Sequence, residues 1–314
     1  MSLVIDLHAD SVSRPYLLNL PFSAPYNLAQ SMPHLQVAAA FAGSGEEPLS
    51  TRRRRLFAML DTLDHTAGEE MFFRVRTAEE LSHFCRAGSR ALLYSVEGGG
   101  FLPEELPLLF ARGVRIVSLV WDKNEFGASS RESGTDADTG LSAAGVRALR
   151  LCESLGILPD LSHVSDRAFF RAAEETRGPL LATHSDFRDL CPHPRNLTAE
   201  MATCIARRGG LIGLNLYPPF LTAAPTATAD DLLRHVDYGL SLVGEGVLAL
   251  GFDIDGTSGV YPAGFSFSES IHDRVADLLL SHYSARTADR LLGENAAEFL
   301  KKHLPVGKNS KNVG

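Results

Sequence analysis

"LVIDLHAD", residues 3–10, has the apolar, branched composition of a β-strand, yet Asp6, His8 and Asp10 fall at alternate positions. Alternate side chains of a strand share a face, so the spacing places three ionisable groups on one face. Burying them is costly unless a charge or ligand answers them. Outward from this stretch the same kind of unit recurs. A short Val/Ile/Leu-rich run ends abruptly in polar residues, and a helical pattern follows. The further runs are "ALLYSVEGG", "VRIVSLVW", "GILPDLSH", "PLLATHS", "LIGLNLY" and "VLALGFDIDG". Between them, segments such as "LSAAGVRALRLCESLG" and "VSDRAFFRAAEETRG" repeat apolar residues at three and four spacing. Ser142, Ser165 and Thr198 stand where helix N-caps belong, and Gly156, Gly178, Gly209 and Gly244 where helices close.

Such alternation predicts parallel strands with right-handed crossovers, covered on both faces. "HADSVS" after the first run lacks the glycines of a phosphate-binding turn, which argues against an open doubly wound sheet. The expected fold is therefore α/β, a (β/α)₈ TIM barrel spanning residues 1–303, with a polar, frayed tail at 304–314. Residues 20–54 read as a long excursion before a helix at 55–65. The run Arg52–Arg55 reads as a solvated face, and 123–140 as an extended loop.

The 314 residues are 45% hydrophobic and 22% charged, an ordinary globular composition. A net charge of −8 argues against nucleic acid or an anionic membrane as partner. No apolar run approaches roughly 18 residues, and the first residues lack the pattern of a signal peptide. Four cysteines without a CxxC spacing predict free thiols in a reducing cytoplasm. The sequence leaves a homodimer open.

Functional residues of a barrel collect at the C-terminal ends of its strands. Those ends carry His8 and Asp10, Glu97, His163, His184, and Asp253 with Asp255. Imidazole and carboxylate without thiolate is a donor set for Zn²⁺ or a similar divalent ion. One ion would leave donors over. Two ions about 3.5–4 Å apart, sharing a carboxylate and holding a hydroxide between them, would use them all. Glu97, followed by "GGG", is the natural bridge, and Asp6, one pleat deeper, reads as structural. Asp253 is the expected proton carrier and Asp255 the brace of its loop, although spacing alone does not separate the two.

In order, "DLHAD", "SVEGGG", "DLSHVS", "ATHS…HPRN", "NLY" and "GFDIDG" resemble the membrane dipeptidase (renal dipeptidase) family of zinc peptidases. The resemblance extends to "GENAAEFL" near the C-terminus. It implies a barrel of the metallo-dependent hydrolase type with two Zn²⁺. By resemblance His8 and Asp10 hold one zinc, His163 and His184 the other, and Glu97 bridges. It also implies Asp253 as acid/base and Arg195 as the group that forks onto a substrate carboxylate. Tyr217 falls near the family's substrate-side residues. One position departs: where mammalian members carry a substrate-binding histidine, this chain has Trp121, followed by Asp122. Tryptophan packs on a substrate but shuttles no proton. Without the animal enzymes' secretion signal and lipid-anchor tail, the chain is similar to soluble microbial members. The expected function is zinc-dependent hydrolysis of dipeptides with a free C-terminal carboxylate. Two alternatives are another binuclear amidohydrolase acting on cyclic or amidated amino acids, and an impaired barrel used for binding.

Overall fold

The computed structural model describes residues 2–307. Its strands are β1 (Val4–Ala9), β2 (His34–Phe41), β3 (Phe73–Arg74), β4 (Arg90–Glu97), β5 (Val114–Ser118), β6 (Leu158–Asp160), β7 (Leu181–Ala182), β8 (Leu211–Leu214) and β9 (Leu248–Leu250). All pair in parallel. β1 joins β2 and β9, β2 joins β4, and β4 to β9 follow in order, so eight strands close into a (β/α)₈ barrel. β3 extends the edge of β4 below the point where β5 begins to pair.

β2 is a correction to the excursion expected at 20–54. "HLQVAAAF" is rich in alanine and has two polar residues among its first three, a weak strand signal. It forms because β1 and β4 cover both its edges, β4 in unbroken register from His34 to Phe41. Its buried His34 accepts a bond from Ala29 N at 2.8 Å, and burial holds the imidazole pKa well below its ordinary value. The helix expected at 55–65 runs from Leu49 to Glu69. The arginine run is solvated only at Arg53 and Arg54. Buried Arg52 pairs with Glu125 at 2.5 Å, and Arg55 with Glu47 at 2.7 Å. Together they tie the loops after β2 and β5 to this helix.

Elsewhere local chemistry and fold agree. The hydroxyls of Ser142, Ser165 and Thr198 accept the backbone N–H groups of Gly145, Ala168 and Met201 and start their helices. Gly156 closes its helix at φ +76°. The next helix instead ends in extended backbone at Thr176, ahead of Gly178.

The lower barrel interior is apolar, filled by Ile5, Leu7, Leu35, Val37, Leu93, Ile116, Leu158, Leu181 and Leu211. The helix Asn295–His303 plugs that end with Ala296, Phe299 and Leu300. Leu304 and Pro305, at the start of the expected polar tail, pack there too, Pro305 O accepting from Ala78 N. Residues 308–314 of that tail lie outside the described residues. Among the described residues, no helix is long and apolar enough to cross a membrane.

Candidate metal centre and substrate cavity

β1 does not keep the alternation its sequence suggests. Its register against β2 slips between Asp6 and Ala9, so one extra residue is inserted there. Ile5 and Leu7 face the barrel interior, while Asp6 turns outward and bonds His272 Nε2 at 2.8 Å, on the helix Ile271–His282. Past the slip, His8 and Asp10 face inward. Asp6 is therefore not on their face, and its role is structural: its Oδ1 accepts the N–H groups of His8 and Phe252, joining β1 to the segment after β9.

The structure brings all five expected donors together. His8 Nε2 lies 3.5 Å from Glu97 Oε2 and 3.6 Å from Asp10 Oδ2. Glu97 Oε1 lies 3.0 Å from His163 Nε2 and 3.5 Å from His184 Nε2. Glu97 thus points one oxygen at each half of the cluster, the geometry a bridging carboxylate needs. Two compact groups result, His8–Asp10–Glu97 and Glu97–His163–His184, and His8, His184 and Asp253 form a third that overlaps both. A divalent cation fits. His8 Nε2, Asp10 Oδ1 and Glu97 Oε1 are buried without a hydrogen-bond partner, which native interiors rarely tolerate.

Backbone conformation aims the donors. Glu97 ends β4 and is followed by Gly98, Gly99 and Gly100, all at positive φ, which turns the chain away at once. His163 and Asp253 themselves sit at φ +71° and +59°, strained values that cluster at functional positions. A Cβ on Gly256 would stand 2.1 Å from Asp253 Oδ1 and 2.3 Å from Asp10 Oδ2, so only glycine leaves these carboxylates their places.

Behind the donors stands a layer the sequence reading missed. The Thr183 hydroxyl donates to Asp160 Oδ2 at 2.7 Å and so accepts from His184 Nδ1 at 2.7 Å. This fixes the His184 tautomer and turns its Nε2 lone pair to the cluster. Asp160 in turn accepts from Ser118 Oγ, Ser162 N and Thr183 N. The signal was present: Asp160 stands three residues before His163 within "DLSH".

Asp253 lies 4.0 Å from His8 Nε2, and its Oδ2 accepts from Asn215 Nδ2 at 3.2 Å. Burial, together with the negative charges of Asp10 and Glu97, pushes its pKa up to about 8. Asp255 faces elsewhere and accepts from the Ser11 and Tyr26 hydroxyls at 2.6 Å each, bracing its loop. A cavity of about 550 Å³ opens over the cluster, lined by His163, Asp253, Arg195, Tyr217, Trp121, Phe220 and Arg131. Arg195 is buried, donates to Ser185 Oγ and His184 O, and leaves its Nε unpartnered. Tyr217 is set by its own N–H, which donates to Asn215 Oδ1, so Asn215 positions both Tyr217 and Asp253. Trp121 forms a wall, 5.0 Å from the Phe41 ring and 6.1 Å from that of His163. Its neighbour Asp122 is engaged with Ser44 and Gly45.

The cluster is a proton store as well as a donor set. Burial disfavours charge on His8, but the Glu97 and Asp10 carboxylates outweigh it and hold its pKa well above the ordinary imidazole value. Burial and the Arg195 charge push His163 down to about 4, and burial and His8 hold His184 well below normal. Glu97 is held low by His8, His163 and His184 despite its burial. Without a cation, these shifts favour a proton on His8 and on Asp253 and disfavour one on His163 and His184. A cation must displace the His8 proton and lower the Asp253 pKa, so its apparent affinity rises with pH. Calorimetric metal titration in buffers of different ionisation enthalpy is expected to show release of about one to two protons per chain. Identical heats in all buffers would contradict this.

A barrel with such a donor set at the C-terminal ends of its strands is a metal-dependent hydrolase. Comparison with known proteins agrees. The model of the membrane dipeptidase family, peptidase family M19, matches residues 23–312. A protein from the pqqA 5′ region of Klebsiella pneumoniae is 31% identical over 267 residues, covering 81% of this chain and 97% of that protein. The crystal structure of dipeptidase AC, an M19 metallopeptidase, superposes with a TM-score of 0.85 at 25% identity, covering 96% of this chain and 99% of that one. A Rhodobacter sphaeroides metallopeptidase, liganded with a phosphinate mimic of L-Ala-D-Ala, has a TM-score of 0.84 at 23% identity, covering 96% and 100%. The chain spans about half the length of several fungal dipeptidases that it also matches. The chain belongs to the membrane dipeptidase family and is a hydrolase of the metallo-dipeptidase class.

Proposed function

We propose that the protein hydrolyses dipeptides that carry a free C-terminal carboxylate, with two Zn²⁺ held by His8, Asp10, Glu97, His163 and His184. One observation carries this reading: a single cavity is lined by His163 of the five-donor cluster, by Asp253, and by a buried Arg195 with an unpartnered Nε. When bound, a zinc pair polarises a carbonyl and supplies water activated for attack. The chain's own residues do the rest. Arg195 engages the terminal carboxylate and sets the scissile bond over the cluster. Asp253, beside His8, takes up the proton released on attack and passes it to the leaving amine. Tyr217 and Trp121 wall the cavity against water. Cyclic or amidated substrates lack the free carboxylate that Arg195 answers. The four cysteines form no disulfide, which supports a cytoplasmic setting.

Elemental analysis of protein purified without chelator is expected to give close to two divalent ions per chain, and a dipeptide library with added Zn²⁺ to release free amino acids. A metal content near zero that added zinc does not raise, or a library left uncleaved, would overturn the reading. Arg195→Lys is expected to raise KM and lower kcat/KM for dipeptides by about 100-fold, because lysine keeps the charge and loses the fork. A fall in kcat at constant KM would place Arg195 in transition-state stabilisation instead.

A further inference from the structure

The cavity holds a second arginine to which no role has yet been given. Arg131 lies on its wall, with the guanidinium carbon 5.0 Å from the centre of the Trp121 ring. Among the described residues no carboxylate pairs with it. Three of the four acids of its own loop are committed elsewhere, and the fourth, Asp136, is exposed and forms no ion pair with it. Glu125 pairs with Arg52, Glu132 accepts from Ser129 N at 2.7 Å, and Asp138 accepts from the Ser165 hydroxyl and Gly140 N. Nor is the side chain hung on a loose tether. Ser130 N donates to His163 O at 2.6 Å, and Ser129 bridges to Val164, so the backbone carrying Arg131 is fastened to that of the donor His163. Trp121 then fixes the far end by stacking, which a histidine at that position would do less well.

A dipeptide with neutral side chains offers one free carboxylate, and Arg195 answers it. A second cation, exposed on the wall of the same cavity and without an acidic partner, is placed to answer a second anion on the substrate. We propose that Arg131, held on Trp121, is a specificity-determining residue that selects dipeptides with an acidic side chain, aspartyl or glutamyl. This rests on the dipeptidase reading above. Guanidinium and carboxylate match in geometry as well as charge, and such a bond in a partly open cavity contributes about 5- to 30-fold in selectivity.

The test compares the zinc-loaded protein with Arg131→Met, which keeps the apolar stem against Trp121. Ala-Glu, Glu-Ala, Ala-Asp and Asp-Ala, each with L or D configuration at the second residue, are measured against Ala-Gln, Gln-Ala and Ala-Ala. For the wild type, kcat/KM is expected to be about 5- to 30-fold higher for at least one acidic dipeptide than for its amide counterpart. Arg131→Met is expected to erase that difference while changing the neutral dipeptides less than threefold. Arg131→Glu is expected to shift preference to Ala-Lys. Neutral dipeptides cleaved with no acidic preference, or an equal loss on every substrate in Arg131→Met, would overturn the proposal and leave the dipeptidase reading in place. Should no dipeptide be cleaved, that reading fails, and the same question is answered by binding. Trp121 is the sole tryptophan of the chain, so its fluorescence reports titration with Ala-Glu and Ala-Gln directly. Equal affinities would then overturn the Arg131 assignment.

Discussion

Glu97→Gln is expected to strip the protein of at least one of its two ions and to abolish dipeptide hydrolysis with it. Glu97 Oε1 faces His163 and His184 while Oε2 faces His8, so each oxygen serves a different half of the cluster. A carboxamide keeps the shape but offers one neutral oxygen, and its NH₂ would point two donors at a site built to receive a cation. Outer partners of metal ligands already contribute 10- to 100-fold in affinity, so losing a bridging ligand should exceed about 100-fold. Elemental analysis, with the circular dichroism spectrum as a check on folding, reads the result. Two ions retained with normal turnover would demote Glu97 to an outer role.

The sequence announced Glu97 because it ends an apolar run and is followed by three glycines, a pattern with few structural explanations. The barrel itself was legible for the same kind of reason, repeated apolar runs with polar ends. What escaped is equally instructive. β2 is missed because alanines and a buried His34–Gln36 pair do not look like strand interior, and only pairing on both edges makes them one. The parity of β1 is misread because a one-residue slip in register leaves no mark in composition, yet it sends Asp6 outward to His272 and His8 inward. Arg52 is misread because a run of arginines is ordinarily solvated, whereas this buried member has the half-buried Glu125 as partner 73 residues on. Asp160 reaches His184 only through Thr183, across neighbouring strands, so its place in "DLSH" hinted at a role beside His163 but not at this one.

Asp253→Asn is expected to keep both metals and the fold while lowering dipeptide hydrolysis by about 10² to 10⁴, the usual contribution of a general acid–base group. The fold is safe for a specific reason. Asp253 sits at φ +59°, a conformation asparagine accepts at least as readily, and the amide oxygen can still accept from Asn215 Nδ2. What asparagine cannot do is carry a proton. Asp253 is buried beside Asp10 and Glu97, and its carboxyl titrates at about 8 before any cation draws it down. A group so poised can take a proton during attack and return it to the amine, provided a metal pair lowers its pKa toward the working pH. Asp255→Asn is the paired control. Its carboxylate receives the Ser11 and Tyr26 hydroxyls, and an amide would keep only one of those two bonds well. The loss there should appear as a lower melting temperature with activity within about tenfold of wild type, since a single side-chain bond is worth about 1 kcal/mol. The reverse outcome, a dead Asp255→Asn and an active Asp253→Asn with metals retained in both, would move the proton carrier two residues along the same loop. It would leave the metal cluster and the Arg195 pocket as they stand, because neither depends on which aspartate of "GFDIDG" carries the proton.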